Sequence, residues 1–247
     1  MRVVVSPAYS RLRSFVGELP ATFDSQGTLV FSKRNTIKLF LVDGLRVIVK
    51  RYKRPNLVQR VAYTWFKPSK AERAYRYAAR FRRCGIDTPR EIGYVECRRA
   101  GLVADTFFVS LCCDDISAAV LLADGIAGER QQMLCRAIGR HLAAMHEAGI
   151  VHGDLNLSNI LCRESDGWHF SLIDNDRATF CRPDTDRCLA DLMRLSHKRD
   201  ILLCIASHYV SERGWDDSSW RDRLLHKLDV FETRKDLKKL FKRCLHP

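Results

Sequence analysis

Apolar residues alternate with polar ones along the first part of the chain and recur at helical spacing along the second. Residues 36–42 (Thr-Ile-Lys-Leu-Phe-Leu-Val) and 45–50 (Leu-Arg-Val-Ile-Val-Lys) read as two β-strands. Asp43-Gly44 between them is a strong two-residue hairpin signal, because that turn wants residues that tolerate positive φ. A further strand is expected over 27–33, and another hairpin over 92–97 and 102–110. Residues 1–25 show little beyond Arg2, Arg11 and Arg13 and read as a loose lead-in. Between the strands, Ser69 is a natural N-cap for a helix over 70–83, with Glu72 three residues later in capping-box position. Cys84-Gly85 ends that helix. After Asp114-Asp115 helices take over. Leu134, Ile138, Leu142 and Met145 form one face of a helix over 129–147, closed by Gly149. Strands over 160–162 and 169–173 flank a Ser165-Asp166-Gly167 turn. Beyond Asp184 the pattern is helical over 189–196, 201–212, 220–231 and 234–244.

The change from strands to helices sets the expected division: a front lobe over 1–110 and a mostly helical back lobe over 111–247. A hydrophobic content of 46% supplies a core. No run of 18 apolar residues predicts a transmembrane helix, and the N-terminus lacks the apolar stretch and cleavage site of a signal peptide. The ten cysteines form no C-x-x-C pair and sit mostly in apolar stretches, which favours reduced thiols in a cytosolic protein over a disulfide frame or zinc site. The net charge is +13, and it is one-sided. Residues 1–104 hold 22 of the 42 Lys+Arg and 7 of the 29 Asp+Glu, a balance of +15, which leaves −2 for the remainder. A front half this basic points to a polyanionic partner: nucleic acid, an anionic membrane surface or a phosphorylated substrate. No recognised nucleic-acid-binding motif accompanies the charge. The last helical segment carries Arg234, Lys235, Lys238, Lys239, Lys242 and Arg243 beside apolar Leu237, Leu240, Phe241 and Cys244. It fits either an anionic membrane surface or an ordinary packed helix with solvated charges.

The chemistry concentrates in 151–161, Val-His-Gly-Asp-Leu-Asn-Leu-Ser-Asn-Ile-Leu. Asp154 and Asn159 stand five residues apart just before a strand, and Leu172-Ile173 then runs into Asp174, Asn175 and Asp176. In order and spacing these pieces match the catalytic loop and metal-binding segment of the protein-kinase fold. A carboxylate must face the attacking hydroxyl, and a second carboxylate with an amide oxygen suits Mg²⁺, which takes hard oxygen ligands. The hairpin between the two pieces is expected to bring Asn159 near Asp174. In that fold a lysine at the end of a hairpin strand binds phosphate, and Lys50 stands there. Glu72 has two readings: it caps its own helix, or it is the helix acid that holds Lys50. Asp191 likewise either braces the catalytic loop or is a surface helix residue. No G-x-G-x-x-G lies between residues 25 and 45; Ser32-Lys33-Arg34-Asn35 occupies the turn, and Lys33 and Arg34 stand in for glycine amides as phosphate ligands.

His152-Gly153-Asp154-Leu155-Asn156-Leu157-Ser158-Asn159 with Ile173-Asp174-Asn175-Asp176-Arg177 resembles the bacterial lipopolysaccharide core kinases, the Kdo/heptose kinase family. The basic strand end 50–54 and the segment 69–74 resemble it too, over roughly residues 30–200 by order of landmarks. The resemblance implies an α+β, protein-kinase-like, two-lobed fold, with an antiparallel sheet and one helix in the front lobe. It implies ATP and Mg²⁺ as cofactors. It also implies transfer of phosphate to a sugar hydroxyl of the lipid A-linked inner core, at the cytoplasmic face of the inner membrane. The partners implied are an anionic lipid-linked saccharide and an anionic membrane surface. In the family's terms Asp154 resembles the catalytic base, Asn159 and Asp174 the Mg²⁺ ligands, Lys50 the lysine on the ATP phosphates, and Glu72 its ion-pair partner. Gly153 stands where regulated protein kinases have Arg, and no Ala-Pro-Glu segment follows. Both departures argue for a small or glycan substrate and against control by activation-loop phosphorylation. Small-molecule phosphotransferases with a similar loop, RIO-type protein kinases and a non-catalytic pseudokinase remain alternatives.

Overall fold

The Asp43-Gly44 turn forms as its residue types require, with φ of +49° and +73°. It joins β3 (Thr36–Val42) to β4 (Leu45–Arg51) in a register that pairs Val42 with Leu45 and Ile37 with Lys50. The structure is a computed structural model that describes the backbone of residues 1–216 and 218–245, and side chains other than those of 217 and 238–247. The chain divides into two compact units. One comprises Met1–Asp114 with Leu172–Arg177, the other Asp115–Ser171 with Ala178–Pro247.

The first unit is built on a six-stranded antiparallel sheet. β1 (Arg2–Val5), β2 (Thr28–Ser32), β5 (Glu91–Arg99) and β6 (Leu102–Leu111) join the β3–β4 hairpin in the order β1-β5-β6-β4-β3-β2. Alternation along β4 sends Val47 and Val49 to one face and Lys50 toward the other. The Val47/Val49 face packs on α1 (Arg13–Thr22) and the turn before it. Leu12, Val16, Leu19 and Phe23 bury themselves there against Phe40, Ile92, Phe107 and Val109. The expected loose lead-in is therefore wrong: residues 2–23 form a strand, a short 3₁₀ turn and a helix that close the core. The opposite face is covered by α3 (Lys70–Arg83), whose Ala71 and Ala74 meet Tyr52 and Tyr94. Ser69 Oγ accepts the Glu72 N–H at 3.2 Å, so the N-cap forms as the sequence indicates. A further helix, α2 (Leu57–Trp65), starts at Asn56 with a complete capping box to Gln59. The expected single helix of the front lobe is thus three.

The second unit is mostly helical. It contains β7 (Ile116–Ser117), α4 (Ala118–Leu121), α5 (Glu129–Glu147), β8 (Ile150–Val151), β9 (Ile160–Glu164), most of β10 (Trp168–Leu172), β11 (Thr179–Phe180), α6 (Thr185–Leu192), α7 (Arg199–Glu212) and α8 (Trp220–Leu245). The expected stripe of α5 is buried in full: Leu134, Ile138, Leu142 and Met145. Gly139 lets α7 approach closely, since a Cβ there would meet Ile205 O at 2.7 Å. The two helices expected over 220–231 and 234–244 are one, α8. The apolar and basic stripe expected beyond residue 237 lies outside the described side chains. No helix among the described residues is long and apolar enough to cross a membrane.

Candidate active site

The Lys50 side chain leaves β4 on the face that carries Tyr52, and its ammonium meets Asp174 Oδ1 at 2.7 Å. Tyr52 lies beneath it, with the ammonium 5.0 Å from the ring centre. Asp174 follows the end of β10, where Leu172 N–H donates to Asp87 O at 2.9 Å and ties the segment to the first unit. Asp174 itself takes φ of +61°, a left-handed conformation that Asp and Asn tolerate better than other side chains. Such a conformation at a charged residue is a common mark of a functional turn.

Asp176, two residues on, is buried. Arg73 of α3 holds the turn by donating from Nε to Asp176 O at 2.9 Å, with Nη2 3.7 Å from Oδ2. That Oδ2 has no hydrogen-bond partner among the described residues. Burial, then the neighbouring Asp174 charge, pushes the Asp176 carboxyl up to about 6. Burial and the same two carboxylates push the Tyr52 hydroxyl well above its usual range. The corner thus sets two carboxylates among the cations Lys50, Arg73 and Lys70. Its donors are hard carboxylate oxygens, one of them unpartnered, which suits a small divalent cation.

The sequence assigned Glu72 to Lys50 as one of two readings, and that pair does not form. The Glu72 carboxylate bonds Arg76 one turn along α3 at 2.5 Å and Arg2 of β1 at 3.3 Å. The capping box is also half-made, because those arginines hold the carboxylate. Lys33 sits at the exposed β2–β3 turn, its ammonium 5.9 Å from the Phe31 ring centre and its N–H bonded to Asn35 O.

In the second unit the loop 152–159 is held from below by α6. Asp191, buried on that helix, accepts the backbone N–H of His152 and of Gly153, each at 2.8 Å. Of the two readings for Asp191, bracing is the one observed. Gly153 has φ of +75°, which a side chain at that position would resist. His146 Nε2 lies 3.4 Å from Asp191 Oδ2, and its Nδ1 2.8 Å from the Tyr209 hydroxyl. Burial works to raise the Asp191 carboxyl, but hydrogen bonding and charge from His146 outweigh it and hold the group below its usual value. Asn156 caps the 3₁₀ turn Leu157–Asn159 through the Ser158 N–H. Asn159 Nδ2 donates to Asp154 O at 2.9 Å, so its amide oxygen is not used in that bond. Asp154 and Asn159 are thus fixed on one loop. Arg194 Nη1 stands 3.8 Å from Asp154 Oδ1. Arg194 also lines a cavity of about 400 Å³ with Lys227, Phe231 and Arg234.

In the sequence Asp176 stands where many kinases have Gly and reads as at most an assisting residue, and Arg194 is not singled out. The signal for Asp176 was its position two residues after Asp174; nothing local marked Arg194, 40 positions from its partner. No group of three or more His, Cys, Asp or Glu side chains gathers as a metal cluster among the described residues.

A solved structure of WaaP in complex with acyl carrier protein superposes with a TM-score of 0.64, covering 93% of this chain and 99% of that one at 20% identity, which supports the kinase-like α+β fold. The KEOPS complex subunit Bud32 of Pyrococcus abyssi (strain GE5 / Orsay) is 46% identical over 43 residues, 17% of this chain; the chain spans only 20% of that relative's length. Residues 28–225 match the lipopolysaccharide kinase (Kdo/WaaP) family. With most of its length inside that match, this chain belongs to the lipopolysaccharide kinase (Kdo/WaaP) family, and is a phosphotransferase with an alcohol group as acceptor.

Proposed function

We propose that this protein transfers the γ-phosphoryl group of ATP, with Mg²⁺, to a sugar hydroxyl of the lipopolysaccharide inner core, Kdo or heptose on lipid A. It works as a peripheral protein at the cytoplasmic face of the inner membrane. The observation that carries the reading is the Lys50–Asp174 pair beside the buried Asp176. An ammonium at a strand end and two carboxylates at one turn supply a phosphate contact and a cation site together. Lys50 holds the nucleotide phosphates. Asp174 and the amide oxygen of Asn159 hold Mg²⁺, with Asp176 as an added oxygen donor; when bound, the ion neutralises phosphate charge. Asp154 accepts the hydrogen bond of the acceptor hydroxyl and orients it for in-line attack. Most of the rate gain comes from such positioning and charge neutralisation. Arg194, which reaches Asp154, lines a cavity with Lys227 and Arg234, a basic lining that suits an acceptor that is itself anionic.

The test is mass spectrometry of purified lipooligosaccharide after incubation with protein, ATP and Mg²⁺. A gain of one phosphate is expected, and Asp154→Asn should abolish it while the protein stays folded. Near-normal turnover by that variant would sink the assignment of Asp154.

A further inference from the structure

Helix α2 is docked in an unusual orientation. Two of its polar residues hydrogen-bond the sheet. Arg60 donates to Val103 O at 3.0 Å and to Arg99 O at 2.7 Å, and Thr64 Oγ1 accepts the Val103 N–H at 3.0 Å. Leu57, Val58, Trp65 and the following Phe66 face outward, 65%, 78%, 66% and 78% exposed, while Val61 and Ala62 are half-buried. Val58 and Trp65 lie two turns apart on one side. No residue of the helix is buried. A surface helix of a globular protein normally turns its apolar stripe to the core. This one is nonetheless firmly built, with Asn56 and Gln59 closing a capping box at its start.

The surroundings select the occupant. Lys53 and Lys67 are exposed at the two ends of the helix. Trp65 and Phe66 form the edge of a groove of about 290 Å³ whose cations are Arg2, Lys67, Arg76 and Arg98, against Glu72 and Glu96. A second copy of the chain meeting this face across a two-fold axis would bring two net-basic patches together. An anionic bilayer matches both features, since apolar residues with a Trp and flanking lysines are the composition of helices lying at a membrane interface.

We propose that α2 is an interfacial anchor. Leu57, Val58, Trp65 and Phe66 enter the boundary between headgroups and acyl chains, while Lys53, Lys67 and the basic groove take lipid phosphates. This deepens the lipid-saccharide kinase reading, from which it borrows the membrane location; the binding itself requires no turnover.

The experiment is co-sedimentation of the full chain with phosphatidylcholine vesicles, with or without phosphatidylglycerol. The wild type is compared with the triple variant Val58→Ser, Trp65→Ser, Phe66→Ser; these side chains are exposed, so the melting temperature should hold. Wild type should partition to the anionic vesicles about tenfold or more above the neutral ones, and the variant should lose that gain by a similar factor. Wild type should show a blue shift of emission with anionic vesicles, and Trp65→Phe should remove it. Equal sedimentation of wild type and triple variant would overturn the proposal. So would light scattering that shows the triple change dissolving a dimer while vesicle binding persists. Vesicle binding through α2 without phosphate transfer would leave the anchor standing and remove the kinase reading; transfer to a deacylated, water-soluble acceptor with no vesicle binding would do the reverse.

Discussion

Lys50 and Glu72 show how a single side chain separates two readings of one sequence. Lys50 was legible because its place depends on local features: a turn dipeptide, an alternating strand and a charged end. Its partner was not, because Glu72 has Arg2 as a competitor 70 positions away and Arg76 one turn along its own helix. Both arginines reach it more directly than Lys50 does, and Asp174 takes the ammonium instead. The consequence for binding is testable. Glu72→Gln should leave Mg²⁺-dependent ATP affinity within about twofold in a calorimetric titration, since it loses only pairs to half-exposed arginines. Asp174→Asn should weaken the same affinity by about tenfold or more, since a charged oxygen ligand is lost. Asn also accepts the left-handed backbone at that position, so the loss reports on charge and not on strain. A large loss with Glu72→Gln would restore the helix acid to the nucleotide site.

At the scale of elements, much of the architecture was readable, and the failures have local causes. The β3–β4 hairpin and the α5 stripe carry strong period-two and period-3.6 patterns. The stripe of α1 was there as well, in Leu12, Val16, Leu19 and Phe23, but Pro20 inside the helix and the scattered arginines broke up its outline. Helix α2 was not expected: Pro55 lies just before its Asn56 cap and breaks the pattern there. The contact of α6 with the loop 152–159 was one of two readings for Asp191, and tertiary packing decides between them. That contact has a pH signature. His146 is raised above its ordinary 6.5, because hydrogen bonds to Asp191 and Cys188 outweigh the burial that opposes them. A raised histidine contributes stability that is complete below 6.5 and is lost as pH climbs through its folded value. Asp191, held low, contributes above 3.8 and loses that share only as pH falls through its own lowered value. His146→Gln should therefore cost on the order of 1–3 kcal/mol in urea unfolding at pH 6 and distinctly less at pH 9. An equal cost at both values would mean that His146 only fills space.

For the whole molecule, charge is the property that sequence states most directly and that folding leaves least changed. Residues 1–104 carry +15 while the rest carries −2, so attraction for a polyanion belongs to the front of the chain. The proposed acceptor is such a polyanion displayed on an anionic surface, and ATP bound with Mg²⁺ is much closer to neutral. Salt should separate the two. Exposed charges lose most of their reach once they stand more than a Debye length apart, about 10 Å at 0.1 M salt. Raising salt from about 0.1 to about 0.5 M should lift the KM for lipopolysaccharide in vesicles roughly tenfold, mainly through slower encounter. The KM for ATP should move far less, because Lys50 and Asp174 are partly shielded and only 2.7 Å apart. The turnover number should hold, since the groups that orient the hydroxyl and phosphate are short-range. Parallel rises in both KM values would show that the basic surface attracts anions without discrimination and has no special part in finding the membrane-bound acceptor.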